Sequence, residues 1–223
     1  PSRTIVLRCP AFWIRSVGYQ YTKQEVGYSD IMPQSINRQE IDKFITERIS
    51  RPRDLIAFFN ECILEANNSP KLKAAQIRTA EGNYSRTRLR ALADEWSADF
   101  PDLLEFTSIL KSRTHSFKLS KILDSEIEDL CLSVVTSEQP PEVGISEAAM
   151  LVAESRSSPR DFKYNLFEIF YKTGLVGLKL ESFETEQWFR DTGRTVSSAE
   201  LAEETSAVVH KTFHRTLGIV NKR

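Results

Sequence analysis

Two arginines bracket a proline in Arg51-Pro52-Arg53-Asp54, and helical periodicity follows at once. Proline suits the first helical position, where its missing N–H has no intrahelical partner, so the spacing predicts a helix that opens here. Guanidinium groups in a first turn sit where the helix dipole already favours anions. Their forked donors also match phosphate or carboxylate oxygens. The same residues serve equally well as plain surface charge, with Arg53 set against Asp54. A second candidate is the run Lys71, Lys73, Arg78, Arg86, Arg88 and Arg90, opposed only by Glu81 between positions 71 and 90. Such a helix can neutralise nucleic-acid phosphates, or be a solvated face, or meet an acidic partner domain.

His210 and His214 are four apart, a spacing that metal sites use on a helix. However, His210 falls at the end of an expected strand and no Cys or acidic ligand lies near it in sequence. Both are therefore expected to be structural, with no metal bound. Cys9, Cys62 and Cys131 are widely spaced, form no C-x-x-C pair, and read as small buried hydrophobes in a reducing cytosol. The phosphate-cradling G-x-x-x-x-G-K-[ST] loop is missing, as are G-x-G-x-x-G, H-E-x-x-H, G-x-S-x-G and S-x-x-K. This chain alone is therefore expected to catalyse nothing.

With 223 residues, 40% hydrophobic and 27% charged, the chain has the composition of an ordinary folded protein and room for two domains. It opens on Pro1, as a fragment or processed product would. Residues 1–117 carry 17 Lys and Arg against 14 Asp and Glu, whereas residues 118–223 carry 13 against 17. The acidic second half is poorly suited to a phosphate backbone.

Residues 1–36 read as irregular, with Ile5–Leu7 a possible strand. Asn37 and Glu40 have capping-box spacing ahead of the stripe Ile41, Phe44, Ile45 and Ile49. The helix after Pro52 is expected to bury Leu55, Ile56, Phe59, Cys62, Ile63 and Ala66. Helical spacing returns over 72–97, with Gly82-Asn83 a candidate break, and again after Asp102. The polar stretch 111–116 reads as a domain boundary. Helices are then expected over about 120–135, from Ser146 to about Ser155, and from Ser158-Pro159 to a Gly174 C-cap. The segment 138–144 reads as a linker. Strands are expected at 175–182, at 187–190 and at 205–211. Three helices followed by a β ribbon is the order of a winged helix. The predicted fold is thus mainly α: an irregular segment (1–36), a helical lid-like bundle (37–116) and a winged-helix domain (117–223).

The run Arg51-Pro52-Arg53-Asp54-Leu55-Ile56-Ala57-Phe58-Phe59-Asn60 resembles a segment of a bacterial family of P-loop ATPases related to the STAND and replication-initiator AAA+ proteins. Ala80-Glu81-x-x-Tyr84-Ser85, with Glu95-Trp96 and Pro101, is similar to the same family. So are Gly174-Leu175-Val176-Gly177 and Phe213-His214-Arg215-x-Leu217-Gly218-Ile219. The resemblance spans about residues 38–219 in three blocks and lacks the family's ATPase core. It implies a helical lid and a winged helix from the C-terminal half of a cytoplasmic regulatory ATPase. Arg53, and next Arg51, would sense nucleotide. ATP and Mg would be held by an upstream core or another subunit, and a protein partner is favoured over a membrane or nucleic acid. The alternative is a nucleic-acid-binding winged helix whose helix 159–173 presents Arg160, Lys163 and Lys172, opposed by Asp161 and Glu168.

Overall fold

The structure is a computed structural model that describes residues 27–49, 51–67, 69–136, 144–181 and 184–220. Among these, nine α-helices and five short strands alternate with single 3-10 turns. The fold is mainly helical, with the β structure confined to one hairpin and one three-stranded sheet. The chain divides into two units between Thr87 and Arg88, inside a helix, rather than in the polar stretch 111–116.

The first unit opens with α1 (Tyr28–Ile31) and the hairpin β1 (Ser35–Ile36) to β2 (Gln39–Glu40). Asn37 and Arg38 both have positive φ, 52° and 64°, and form the two-residue turn of that hairpin. Two left-handed residues match the twist of paired strands, and Asn tolerates that conformation well. The expected capping box at Asn37 and Glu40 is therefore replaced by a hairpin. The following helix, α2 (Ile41–Thr46), is entered from Glu40 without a side-chain cap.

Helix α3 (Pro52–Ala66) starts where Pro52 predicts and ends at Asn67, whose left-handed φ of 46° terminates it. Its buried side chains are Leu55, Phe58 and Cys62, not the wider set expected. Ile56 and Ile63 face outward instead. Helix α4 (Ala74–Glu95) runs straight through Gly82-Asn83, so no break occurs there. Ile77, Ala80 and Tyr84 join Leu55, Phe58, Phe44 and Ile45 in the core of this unit. Phe58 meets Tyr84 edge to face at 5.7 Å.

In the second unit, α5 (Leu103–Phe106) tightens into a 3-10 turn and leads to β3 (Ser116–Lys118). Then come α6 (Asp124–Val135), α7 (Ile145–Ala153) and α8 (Pro159–Lys172). The α7 helix begins from Gly144, and Ser146 lies buried inside its first turn, where its hydroxyl donates to Asp102. Ser158 does cap α8, accepting from the Asp161 N–H at 3.3 Å. Gly174 follows with φ 78°, the left-handed stop expected there.

Strand β4 (Val176–Lys179), helix α9 (Phe189–Thr192) and strand β5 (Ser206–Val209) complete the chain. The sheet has order β3-β5-β4, all antiparallel, with Ser116 opposite Val208 and Val176 opposite Val209. The strand expected at 187–190 reduces to one bridge, Gln187 to Leu178, before α9 begins. Conversely, β3 begins at Ser116, the last residue of the stretch 111–116 read as a boundary. The sheet packs with Phe117, Phe162, Phe167 and Phe170 in a single core. Cys9, Ile5–Leu7 and most of the linker after Glu138 lie outside the described residues.

Candidate interaction surface

Helix α3 is anchored on one side and, among the described residues, exposed on the other. Leu55, Phe58 and Cys62 fix it to its own unit. On the opposite side Ile56 is 54% exposed, Ile63 59% and Leu64 73%. Arg53, Ala57, Asn60 and Asn67 are exposed on the same side. Ile56 stands two turns before Ile63 and Leu64, with Asn60 between them, so the outward side combines three exposed aliphatic residues with polar ones. Single exposed Leu123 and Leu132 lie elsewhere on the surface.

The arginines at the start of α3 differ in role. Arg51 is the N-cap residue, partly buried, with extended backbone. Arg53 has a side chain 63% exposed, with its Nε 3.7 Å from the Asp54 carboxylate in the same turn. Arg48, which the sequence reading passed over, is the guanidinium that holds this unit together. Its Nε donates to Glu81 Oε1 at 2.6 Å, and its Cζ stands 3.8 Å above the Phe44 ring. Glu81, counted before as the lone acid of a basic run, is thus a buried structural partner.

The basic run does not form one surface. Arg78 donates to Asn37 Oδ1 at 2.8 Å and so braces the β1–β2 turn. Arg88 grips Glu95 with both Nη atoms, at 3.2 and 3.3 Å. Lys71, Lys73, Arg86 and Arg90 are exposed.

On α8, Lys163 is only 2% exposed, which corrects its reading as a surface contact. Its ammonium donates to Glu203 Oε1 at 2.9 Å and to the Ile122 carbonyl at 3.3 Å. The Tyr164 hydroxyl donates to the same Glu203 oxygen at 3.2 Å. Arg160 donates to the Tyr164 oxygen at 3.1 Å, with Glu203 3.6 Å away. Burial pushes the Glu203 carboxyl up, but the Lys163 hydrogen bond and charge, with Tyr164 and Arg160, outweigh it and hold the carboxyl below the ordinary range. Two of the three basic residues of the expected recognition helix, Arg160 and Lys163, therefore join this intramolecular cluster, while Lys172 is exposed with its ammonium 5.3 Å from the centre of the Phe100 ring.

All three histidines of the chain gather at one end of the sheet, where β3 starts and β5 stops. His210 Nδ1 accepts from the Thr212 N–H at 3.2 Å and caps the 3-10 turn Lys211–Phe213, so its proton sits on Nε2. His214 Nε2 lies 3.0 Å from the Val209 carbonyl, which can only accept, so that nitrogen donates. His115 Nδ1 stands 3.4 Å from the same His214 nitrogen. Burial, helped by the charges of His214, Arg190, Arg88 and Lys211, pushes the His210 imidazole down to about 4. His115 is likewise lowered, chiefly by burial. His210 and His214 do not share a helix face, because β5 ends before His210. Among the described residues, no group of three or more His, Cys, Asp or Glu side chains is placed to share a metal ion. The Cys62 and Cys131 thiols are buried, which pushes each up to about 12 and leaves them protonated.

These features describe a mainly helical protein whose first unit carries an outward helix face with three exposed aliphatic residues. Residues 12–93 match the family described as a FunZ-associated C-terminal helical domain. The match takes in α1 to α3 and most of α4, and it describes an accessory, C-terminal helical region. No curated protein and no solved structure matches the chain. Among the described residues, no helix is long and apolar enough to cross a membrane.

Proposed function

We propose that this chain is the non-catalytic C-terminal region of a P-loop ATPase. Its helical unit docks through the outward face of α3 onto the ATPase core or another subunit, and Arg53 at the start of that face senses the bound nucleotide. The observation that carries this reading is that α3 presents Arg53, Ile56, Ile63 and Leu64 from one side while its other side is anchored. The similarity of residues 12–93 to an accessory C-terminal domain supports it. Arg51 contributes less, since it precedes Pro52 and lies outside the helix proper.

The second unit is read as a winged-helix interaction module, supported by its order of strand, three helices and two further strands in the arrangement β3-β5-β4. A protein partner is favoured over nucleic acid for this unit. Lys163 is buried, and the exposed Arg160 and Lys172 share α8 with Asp161 and Glu168 in an acidic half of the chain, which is weak electrostatics for binding phosphates. The two protonated, buried thiols accord with a reducing, cytoplasmic setting.

ATP and Mg would be held by the core, with a lid arginine adding charge stabilisation once the γ-phosphate is positioned. The test compares ATP turnover by the isolated chain, by the protein with its core, and by Arg53→Ala and Arg51→Ala in that protein. The isolated chain is expected to turn over no ATP. Arg53→Ala is expected to slow the complete protein more than Arg51→Ala does, without lowering its melting temperature. Turnover by the isolated chain, or full activity of Arg53→Ala, would overturn the reading.

A further inference from the structure

His115 and His214 are joined twice over. Their rings face each other with centroids 5.2 Å apart, and their backbones hold one short segment in place. The Ile219 N–H donates to the His214 carbonyl at 2.9 Å, and the His115 N–H donates to the Val220 carbonyl at 3.3 Å. The Val220 N–H donates to the Arg113 carbonyl at 2.8 Å. Thr114 and Val220 thereby form a parallel bridge beside the start of β3. Leu217 is buried in the core, whereas Gly218 beside it is exposed with φ 63°, a residue free to change its backbone angles. We propose that the two imidazoles form a proton-operated latch: with His115 neutral they hold residues 218–220 along the start of β3, and a proton on His115 releases them.

The ring contact suits only a neutral His115. His214 Nε2 donates to the Val209 carbonyl at 3.0 Å, so it presents an N–H to the region of His115 Nδ1, 3.4 Å away. A neutral His115 leaves Nδ1 bare toward that N–H by keeping its proton on Nε2. An imidazolium carries hydrogen on both nitrogens, so a protonated His115 turns N–H against N–H. A charge on His214 as well would set two cations well inside a screening length. Parting the rings relieves both conflicts and draws the His115 N–H off Val220, the longest of the three backbone bonds. His115 is only half-buried, so solvent can deliver the proton.

The surroundings set the direction with pH. Burial is the largest influence on His115 and opposes a proton there. Glu186, ahead of α9, favours one, Lys211 after β5 and Lys179 on β4 oppose it, and the Val209 carbonyl favours it least. The balance lies below the ordinary value of 6.5. His210 is buried and faces His214, Arg190 on α9, Arg88 on α4 and Lys211, so it stays neutral until about 4. The latch is therefore closed at neutral pH and opens as pH falls below 6.5.

Amide exchange of the whole chain, followed by NMR and expressed as protection factors so that the intrinsic effect of pH divides out, reads the latch. Between pH 7.5 and about pH 5 the His115, Ile219 and Val220 amides are expected to lose about tenfold in protection. The Thr173 amide, bonded to the Ile169 carbonyl in α8, should lose much less. The His115 imidazole, titrated in the same spectra, should share its midpoint with that loss. His115→Asn keeps a side-chain oxygen close to where Nδ1 stands and takes up no proton, and His115→Phe keeps a ring without one. Either variant is expected to hold Ile219 and Val220 equally protected at both pH values. Constant protection in the wild type, or a fall that Thr173 matches, would overturn the latch, the second by making the effect general acid unfolding. A fall as steep in His115→Asn or His115→Phe as in the wild type would overturn it too, since His115 would not be the trigger.

Discussion

The indole of Trp188 lies flat against the α-carbon of Gly177, so close that a methyl group there would meet ring carbons at 2.7–2.9 Å. The same indole meets His210 edge-on at 5.1 Å. Gly177 sits within β4 opposite Val208, so its backbone is held by the sheet and the ring must be the part that yields. Gly177→Ala is therefore expected to displace Trp188 at a cost of about 1–3 kcal/mol. Urea unfolding should show the lower midpoint. Tryptophan emission should shift red, and a Trp188→Phe background should abolish that shift.

The histidine cluster gives the second unit an acid limit. An imidazole pushed down by burial favours the folded state while it is neutral. The His210 contribution is therefore complete above its ordinary value of 6.5, shrinks as pH falls from there toward about 4, and is lost below that. The gap between these values amounts to roughly 3 kcal/mol. His115 adds in the same direction. Protonation at His210 Nδ1 would also turn an N–H toward the Thr212 N–H that now donates to it. Urea midpoints measured between pH 7.5 and pH 4 should fall steeply for the wild type and more shallowly for His210→Ala. Parallel curves would exclude His210 as the titrating group.

Helices that carry their own start and stop signals were legible in the sequence. Pro52 and Pro159 mark the starts of α3 and α8, and Gly174 marks a stop. What escaped depends on partners far along the chain. Strand β3 offers a single apolar residue, Phe117, in three positions, too few to show alternation. It exists because β5 pairs with it some ninety residues later. Asn37 and Glu40 have capping-box spacing and nevertheless flank a hairpin turn, since Ile36 is drawn into the core and Arg78 holds the Asn37 amide. The outward face of α3 was misread because periodicity shows that a helix has an apolar side without showing which of two apolar stripes finds a core. Lys163 reads as a surface contact, and Arg48 attracts no reading at all, for one reason. A basic residue looks solvated until the acid opposite it, Glu81 or Glu203, is brought in by the fold.

Lys163 and Glu203 make an asymmetric pair to test. Lys163 is buried, whereas Glu203 reaches the surface. Removing the carboxylate by Glu203→Ala leaves the buried ammonium with only the Ile122 carbonyl and Asp124 at 3.8 Å, and is expected to cost about 3 kcal/mol. Lys163→Met removes the charge, keeps the aliphatic volume and lets Glu203 turn to water, so it is expected to cost about 1 kcal/mol or less. Chemical unfolding of both variants checks the order. A costlier Lys163→Met would mean that the ammonium stabilises α8 more than its desolvation opposes.

Arg48 and Arg53 lie five residues apart, and the structure gives them opposite roles. The Arg48 guanidinium is enclosed between the Phe44 ring and the Glu81 carboxylate, so it joins the residues after α2 to the middle of α4. Arg48→Ala takes away a short charge-assisted hydrogen bond and the cation facing a buried carboxylate. It is expected to destabilise the helical unit by about 3 kcal/mol. Arg53 projects from the first turn of α3, with Asp54 3.7 Å away and most of its surface in water. An exposed contact of that kind contributes little, so Arg53→Ala is expected to change stability by no more than about 0.5 kcal/mol. Thermal unfolding of the two variants beside wild type separates them. The same comparison guards the sensing role, because a loss of nucleotide response in Arg53→Ala is informative only if the fold stands. If Arg53→Ala melts as early as Arg48→Ala, Arg53 is a structural ion-pair residue and the start of α3 senses nothing.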